Sequence, residues 1–263
     1  MDNKNSNRFA LYYHRITCIP YMILILLVLF IYPYMSIISF HLHKKSGFAY
    51  FQNFLVLPII SFESIMVLIS EIQAIRGDPG ETGKALICDE LIGGLTENEK
   101  NILPKCETCG FPLPPRAFHC DKCHKCHLKM CFHSTFLGVC IAIKNERPYI
   151  VMFYWIRALI ATYLVFILSG FLINLSKIVI LIFGLCYFAF FVVIHDYVGE
   201  LMSNVSKNRT FMEIQTNTGY NNNIGRRKNI EQVFGKGKFR FYIPIRSSMI
   251  GFEWIDEDVI NDK

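Results

Sequence analysis

Four long apolar runs constrain this chain more than any other feature of its sequence. They are Ile19–Phe40, Phe48–Ile75, Tyr149–Leu175 and Ile178 to about Ile194. A helix needs roughly 20 mostly apolar residues to cross about 30 Å of hydrocarbon. The alternative is four helices buried in a large soluble core, but the runs lack the polar face that such helices carry. The runs therefore predict an all-α integral membrane protein with four transmembrane helices.

The composition and the distribution of basic residues add an orientation to this prediction. Hydrophobic residues make up 52% of the chain, against roughly 45–50% in soluble domains. No small-residue cleavage site follows a short apolar core, so we expect the first run to be retained rather than removed as a signal peptide. The loops after the first and third runs carry only Lys44, Lys45 and Lys177, whereas the other segments are rich in Lys and Arg. Positive segments stay cytosolic, which predicts cytosolic termini and a cytosolic middle segment.

The net charge of +6 requires no nucleic acid, because anionic membrane lipids are a sufficient partner for basic residues beside a bilayer. The runs also divide the chain into four parts. Residues 1–75 form the first segment with two helices, 76–148 a cytosolic cysteine-rich domain, 149–199 the second helix pair, and 200–263 a cytosolic tail.

Seven of the ten cysteines fall between Cys106 and Cys140, interleaved with histidines. A cytosolic segment is reducing, so disulfides are not expected there. Repeated Cys-x2-Cys with nearby His is typical of tetrahedral zinc sites. The eight candidate ligands are Cys106, Cys109, His119, Cys120, Cys123, Cys126, His133 and Cys140. Eight ligands suit two Zn²⁺ ions, but their spacing leaves the pairing open.

The cysteine-rich segment is also rich in Pro, Lys and Gly, and its apolar residues show no periodicity. We therefore expect a small irregular domain that buries little core and depends on metal for its folding energy. The alternative is a set of unconnected reduced thiols, which this density of cysteine disfavours.

Several motifs occur in a fixed order along the chain. Residues 114–120 read Pro-Pro-Arg-Ala-Phe-His-Cys, and Asn145 follows Cys140. Asp78-Pro79-Gly80 follows the second run, and residues 208–213 (Asn-Arg-Thr-Phe-Met-Glu) and 225–235 follow the fourth. Together they resemble the DHHC family of protein S-palmitoyltransferases, including its Asp-Pro-Gly, Thr-Thr-x-Glu and tail motifs. Phe211 stands where the second Thr of Thr-Thr-x-Glu is expected.

The resemblance implies four or more transmembrane helices with the cysteine-rich domain between the second and third. It implies transfer of a fatty acyl group from palmitoyl-CoA to cysteines of cytosolic or membrane-associated client proteins. It assigns one zinc to Cys106, Cys109, His119 and Cys126, and the other to Cys120, Cys123, His133 and Cys140. His124 and His127 are left over and are expected at the surface or next to the ligands. The implied location is Golgi, endoplasmic reticulum or plasma membrane.

The chain departs from the family at the catalytic motif, because Cys131-Phe132-His133-Ser134 stands in place of Asp-His-His-Cys. Ser134 replaces the nucleophilic thiol, and a hydroxyl supplies essentially no anion without an adjacent base. Phe132 replaces the base, and Cys131 replaces the carboxylate that orients it. His133 cannot act as base while it binds zinc.

Two functions remain open after these losses. The first is a non-catalytic scaffold or accessory subunit that binds zinc, lipid and clients, and works with an active acyltransferase. The second is an atypical enzyme that uses Cys131 as nucleophile, with its thiol pKa lowered by Lys129 and His127. A membrane-bound RING-type ubiquitin ligase is a third class, but its order of ligands differs.

Two charged residues, Glu63 and Arg157, lie inside predicted membrane helices. Charge within a membrane is usually paired or faces a cavity. The sequence leaves open whether the two form an ion pair or whether Arg157 extends toward the membrane surface.

Overall fold

The computed structural model describes residues 47, 52–76, 78–82, 104–170, 177–217, 222–237 and 239–246. The predicted helix Ile19–Phe40 lies outside these residues. Among the described residues, three helices are long and apolar enough to cross a membrane. The candidate spans are Phe54–Ile75, Glu146–Val165 and Gly184–Ser206. They correspond to the second, third and fourth apolar runs.

The described elements alternate between long helices and short strands. Helix α1 is Leu57–Ile75, preceded by a π-helical turn over Gln52–Val56. Four strands follow: β1 (Phe118–Cys120), β2 (Lys125–His127), β3 (Phe132–Ser134) and β4 (Val139–Ile141). The remaining helices are α2 (Glu146–Gly170), α3 (Lys177–Ser206), α4 (Phe211–Gln215) and α5 (Arg226–Phe234).

Helix α2 begins three residues before the apolar run that predicted it. Glu146 lies in its first turn, where a carboxylate interacts favourably with the helix dipole. Pro148 follows in the same turn, where the missing N–H of a proline costs no helical hydrogen bond. The polar start of the helix is therefore set by its N-terminal chemistry rather than by hydrophobicity.

Helix α3 extends twelve residues past the end of its predicted run at about Ile194, to Ser206. His195 and Asp196, which follow the apolar run directly, lie within the helix and are exposed. The prediction was wrong because the extension is amphipathic: Val198, Leu201 and Val205 are buried. Such a helix continues beyond an apolar segment when one face finds a partner.

The cysteine-rich segment contains two antiparallel hairpins and shares a core with the helices. Strand β1 pairs with β2, and β3 pairs with β4. Leu137 and Ile141 are fully buried in the same apolar cluster as Val151 and Met152 of α2 and Leu201 of α3. The expectation of a segment without much core was therefore wrong, because its apolar residues share one cluster with those of α2 and α3.

Within the membrane candidates, Glu63 and Arg157 have separate partners. The Glu63 carboxylate accepts a hydrogen bond from Thr162 Oγ1 at 3.0 Å. The Arg157 guanidinium lies 4.9 Å from the centre of the Tyr154 ring. Among the described residues, no ion pair joins the two. Arg157 instead reaches back one turn toward the start of α2, and its extension to the membrane surface stays a prediction.

Candidate metal and catalytic site

The first group of candidate ligands comes from a turn and a hairpin. Cys106 and Cys109 lie in one turn, in which the Gly110 amide donates to the Cys106 carbonyl at 2.8 Å. His119 and Cys126 are opposite each other in the β1–β2 register. The three sulfur atoms, of Cys106, Cys109 and Cys126, lie 3.5, 3.3 and 3.5 Å from His119 Nδ1.

The second group repeats this construction on the next hairpin. Cys120 ends β1 and Cys123 lies in the β1–β2 turn, and His133 and Cys140 are opposite each other in the β3–β4 register. The sulfur atoms of Cys120, Cys123 and Cys140 lie 3.6, 3.3 and 3.6 Å from His133 Nδ1. In each group the four candidate ligand atoms lie within 4.8 Å of one another.

These distances fit a tetrahedral zinc site. With Zn–S near 2.3 Å and Zn–N near 2.0–2.1 Å, tetrahedral geometry places sulfur and nitrogen about 3.5 Å apart. All six sulfur–nitrogen distances fall between 3.3 and 3.6 Å. The Cys123–Cys140 sulfur pair is closer, at 3.2 Å, than the roughly 3.8 Å of two zinc-bound thiolates. The two clusters can therefore each hold one zinc, grouped as the family resemblance implies.

The crowding of thiols also favours a cation. Hydrogen bonds from Cys123 and Cys140 hold the pKa of Cys120 far below its ordinary value. The same contact with Cys120 raises the pKa of Cys123 to about 11, and the pKa of Cys140 is raised further. Three thiols this close cannot all ionise by themselves, and a bound metal removes that conflict.

The two clusters are related by a shift of fourteen residues. Residues 106, 109, 119 and 126 become 120, 123, 133 and 140 when fourteen is added to each. This fourteen-residue repeat is visible in the sequence. It would have divided the eight ligands into two groups of four without the resemblance to a family. Because Cys120 and Cys123 lie between His119 and Cys126, the two sites interleave and share the β1–β2 hairpin.

A third turn continues the repeat and contains Ser134. The Leu137 amide donates to Ser134 Oγ at 3.2 Å, as the Cys109 amide donates to Cys106 Sγ at 3.4 Å. Each turn ends in a left-handed residue: Gly110, His124 and Gly138 have φ of 73°, 53° and 65°. Ser134 thus occupies the position that the first cysteine has in the other two turns. Leu137 occupies the position of the second cysteine and cannot bind a metal.

Three residues of the Cys131–Ser134 stretch are not zinc ligands, and all three pack against other side chains. Cys131 is 5% exposed and Ser134 is 4% exposed. The Phe132 ring makes edge-on contacts with Tyr149 and Phe211, both with ring centres 5.4 Å apart. A small cavity beside Cys131 is walled by these rings and by Leu201. The position where the resemblance places a catalytic imidazole is therefore occupied by a phenyl ring that packs between two other aromatic rings.

The rings around Phe132 form what we call the aromatic cluster: Phe132, Tyr149, Phe153, Tyr197 and Phe211. Phe153 bridges Tyr149 and Tyr197, with centres 5.1 and 4.9 Å away. The Tyr149 and Tyr197 hydroxyls are hydrogen-bonded at 2.7 Å. The cluster joins β3, α2, α3 and α4, and sequence inspection identified only Phe132 and Phe211 as unusual.

The charges near Cys131 do not favour a thiolate. Lys129 Nζ is paired with Glu146 Oε2 at 2.8 Å, and both side chains are buried. Burial raises the pKa of the Cys131 thiol well above its ordinary value; Glu146 adds to this increase, and Lys129 opposes it. The lowered pKa on which the atypical-enzyme alternative depends is therefore not found, because the thiol is buried and the nearby Lys129 is paired with a carboxylate.

The leftover histidines differ in their environment. His124 is exposed, as expected, and occupies the turn of the β1–β2 hairpin. His127 is buried, and burial lowers its pKa. It follows the ligand Cys126 directly and pairs with Phe118 across the hairpin. A neutral imidazole in this position adds no charge beside the first cluster.

A buried ion pair connects the cysteine-rich segment to α4. Both oxygens of Glu213 accept from Arg116, through Nε and through Nη2, the latter at 3.0 Å. Arg116 Nη1 donates to Asn208 Oδ1 at 3.0 Å. Thr210 and Glu213 form a reciprocal N-terminal cap on α4. The motif after the fourth apolar run therefore acts as an anchor for Arg116, a role that the sequence did not reveal.

Two further motifs fasten the segment to the helices. The Asp78 carboxylate accepts from the amides of Gly80 and Glu81 at 2.9 and 2.7 Å. Gly80 has φ of +119°, and a Cβ there would lie 2.7 Å from Ile143 Cγ2, so only glycine fits. Asn145 Nδ2 donates to the carbonyls of Ala74 and Cys140 at 3.0 and 2.9 Å.

Comparison with known proteins agrees with this arrangement of motifs. Residues 99–218 match the family model of the DHHC palmitoyltransferase. Over these residues the chain carries a DHHC palmitoyltransferase domain. It is 27% identical to the probable protein S-acyltransferase 12 of Arabidopsis thaliana over 218 residues, which cover 73% of this chain and 74% of that protein.

Other relatives within the DHHC family match over shorter regions. Human palmitoyltransferase ZDHHC3 is 31% identical over 109 residues, covering 41% of this chain and 35% of that protein. Palmitoyltransferase ZDHHC15 of Xenopus laevis is 30% identical over 159 residues, covering 55% and 47%. Similarity to the DHHC family accounts for the apolar helices and the two Cys/His clusters together.

Proposed function

We propose that this chain is a non-catalytic member of the DHHC palmitoyltransferase family, a membrane scaffold or accessory subunit. The single observation that carries the proposal is the packing of residues 131–134. Cys131 and Ser134 are buried, and Phe132 is held between Tyr149 and Phe211. The positions that perform acyl transfer in the family are used here for apolar packing.

Nucleophilic catalysis needs an accessible nucleophile and a base within hydrogen-bonding distance, about 2.6–3.2 Å. Ser134 Oγ accepts from the Leu137 amide, a contact that does not remove its proton. His133 directs Nδ1 at the second cysteine cluster, and the neighbouring Phe132 ring cannot accept a proton. Formation of an acyl ester at Ser134 therefore has no proton acceptor among these residues.

Zinc has a structural role in this proposal. Cys106, Cys109, His119 and Cys126 would hold one ion, and Cys120, Cys123, His133 and Cys140 the other. Four protein ligands fill the tetrahedron and leave no position for a substrate. When bound, zinc supplies folding energy to the two hairpins.

The proposed topology has four transmembrane helices with both termini and the cysteine-rich domain in the cytosol. Its support is the distribution of basic residues and the three membrane-length helices among the described residues. The proposed location is the Golgi, endoplasmic reticulum or plasma membrane. The proposed partners are membrane lipids, client proteins and an active acyltransferase.

The alternative function is S-acyl transfer through Cys131. Its sulfur would bond to the acyl carbonyl carbon, the carbon–sulfur bond to coenzyme A would break, and the thiol proton would pass to the departing coenzyme A thiolate. A client thiolate would then bond to the same carbon, and Cys131 would leave as a thiolate. The small cavity beside Cys131 supports this alternative, but the thiol is buried and must become accessible for the reaction to proceed.

Labelling of purified protein with clickable palmitoyl-CoA tests the two functions. We expect no acyl-enzyme on wild type, Cys131→Ala or Ser134→Ala. Cys186→Ala is a control, because Cys186 is an exposed thiol on α3 outside the site. Hydroxylamine-sensitive label that disappears in Cys131→Ala establishes the alternative. Hydroxylamine-resistant label that disappears in Ser134→Ala indicates an oxygen ester and contradicts the proposal.

A further inference from the structure

The segment after α5 turns back along α2 and reaches the region of the candidate membrane span. We call residues 239–246 the return segment. Arg147 Nη2 donates to the Arg240 carbonyl at 3.2 Å. Phe241 contacts Phe234 of α5, with ring centres 4.9 Å apart. Trp155 Nε1 donates to the Tyr242 carbonyl at 3.0 Å. The segment therefore runs beside the first three turns of α2.

The contact with Trp155 places the return segment where α2 leaves the cysteine-rich segment. Tyr149, Ile150, Val151 and Met152 pack in the core shared with that segment, and α2 continues to Gly170, so the boundary of the membrane lies near the level of Trp155. Trp155 lies nine residues after Glu146, about 13 Å along the helix, and inside the candidate span Glu146–Val165. Its ring packs edge-on against Phe62 of α1, with centres 5.4 Å apart. Phe62 also belongs to a candidate span. The return segment thus touches two helices at a level where both are apolar enough for lipid.

The outer side of the return segment is apolar. Phe239, Tyr242, Ile243 and Ile245 are 71%, 52%, 42% and 54% exposed. Four of the eight residues are thus apolar and exposed. Such a patch is unfavourable in water and indicates a surface that another molecule covers. Lys236 is exposed just before the segment, and the Arg240 guanidinium covers the Phe241 ring at 4.9 Å. This mixture of aromatic, aliphatic and basic side chains is typical of the membrane interface.

The backbone of the segment also suits an interface rather than a hydrocarbon core. The Tyr242 amide donates to Phe239 and the Ile245 amide to Ile243, at 3.0 and 2.9 Å. Arg246 Nη2 donates to the Asp78 carbonyl at 2.8 Å. These bonds satisfy only part of the backbone, which suits an interface where water can pair with the rest but not a hydrocarbon core. The contact of Arg246 brings the chain back to the end of α1 beside the cysteine-rich segment.

We infer that the return segment inserts its apolar side into the bilayer interface on the side of the cysteine clusters. The occupant of the surface is lipid, and its support is the continuity with Phe62 of α1, which contacts Trp155 and is 55% exposed within a candidate membrane span. The inference holds for an active or an inactive member of the family. It gives the tail a second attachment to the membrane, independent of the helices.

The test uses full-length protein in nanodiscs that contain one chain each, with a fluorescent amino acid introduced by codon suppression at residue 243. Phe111, 51% exposed beside the first cluster, is the matched control position. We expect a nitroxide near the lipid headgroup to quench position 243 several-fold more than position 111. A nitroxide at the end of the acyl chain should quench less, and iodide in the water should quench position 111 alone.

Equal quenching by iodide at both positions overturns the inference. Shielding from iodide without quenching by lipid nitroxides also overturns it, because it indicates a protein occupant. A second variant, Ile243→Asp with Ile245→Asp and the label at residue 242, should lose the lipid quenching while its zinc content stays unchanged. Persistent quenching in that variant contradicts insertion of these side chains.

Discussion

The guanidinium of Arg116 and the carboxylate of Glu213 form a buried two-point ion pair, although 97 residues separate them in sequence. Their side chains are 3% and 4% exposed. Asn208 also accepts from Arg116 through its side chain and its carbonyl, at 3.0 and 3.1 Å. The pair fixes the cysteine-rich segment against the chain that follows α3, and so holds Phe211 over Phe132.

Glu213→Gln should destabilise the folded cysteine-rich segment by about 3–5 kcal/mol, because it leaves the Arg116 charge buried without a counter-charge. Zinc release during denaturant unfolding in detergent measures the effect. Arg227→Ala is the control, because it breaks a pair with Glu231 in which the Arg227 side chain is 88% exposed. A control loss as large as that of Glu213→Gln would contradict the buried pair.

Asn145→Ala should cost about 1–3 kcal/mol, the usual penalty for leaving buried polar groups unpaired. Its side chain accepts from the Ala142 amide at 2.8 Å and donates to the carbonyls of Ala74 and Cys140. The same zinc-release assay applies, with the exposed Gln215→Ala as reference. Unchanged stability would mean that these three contacts do not hold α1, β4 and α2 together.

Restoration of the family motif should require four substitutions rather than three. Cys131→Asp, Phe132→His and Ser134→Cys restore the family residues, but Phe211 still packs against position 132. We expect stronger autoacylation with clickable palmitoyl-CoA when Phe211→Thr is added, because threonine leaves room for an imidazole. Equal labelling of the triple and quadruple variants would show that Phe211 does not obstruct the site. Omission of Ser134→Cys from the quadruple variant provides the inactive control.

Cys109→Ser should reduce bound zinc from about two ions to about one, since each cluster supplies four ligands and serine is a poor zinc ligand. Cys123→Ser should have the same effect on the other cluster. Metal analysis of purified protein measures the content, and Cys131→Ser should retain both ions because its side chain belongs to neither cluster. Loss of zinc in Cys131→Ser would require a different grouping of the ligands.

Asp78→Asn should lower stability by the same amount at pH 8 and at pH 5.5. Burial opposes ionisation of Asp78, but the amides of Glu81 and Gly80 and the Lys144 ammonium hold its pKa below the ordinary value. Asp78 has a lower pKa in the folded protein than in the unfolded chain, where it is about 3.9. Its contribution to stability is therefore fully present above pH 3.9 and is lost as the pH falls through the pKa of the folded protein. Both test conditions lie above that window.

Unfolding measurements of wild type and Asp78→Asn at the two pH values check this directly. The expected difference is about 1–2 kcal/mol, as for hydrogen bonds to a charged group that is partly exposed. A difference that is much smaller at pH 5.5 would show that the Asp78 carboxylate is already protonated there, and hence that its pKa is not lowered.

The membrane class and the candidate zinc ligands could both be predicted from the amino-acid sequence. Both signals are local: an apolar run must be long enough to cross lipid, and Cys-x2-Cys positions two thiolates in one turn. The fourteen-residue repeat that pairs the ligands is local as well, because each hairpin brings His and Cys into register over seven residues.

The surroundings of Cys131 and Ser134 could not be predicted in this way, because they arise when separate elements pack together. Side chains of β3, α2, α3 and α4 wall the cavity beside Cys131, and the pairing of Lys129 with Glu146 depends on where α2 begins. Sequence spacing cannot specify such contacts, since they join residues far apart in the chain and depend on how whole elements pack. The amphipathic end of α3 is the same case: its buried face exists because Val198, Leu201 and Val205 have neighbours from other elements.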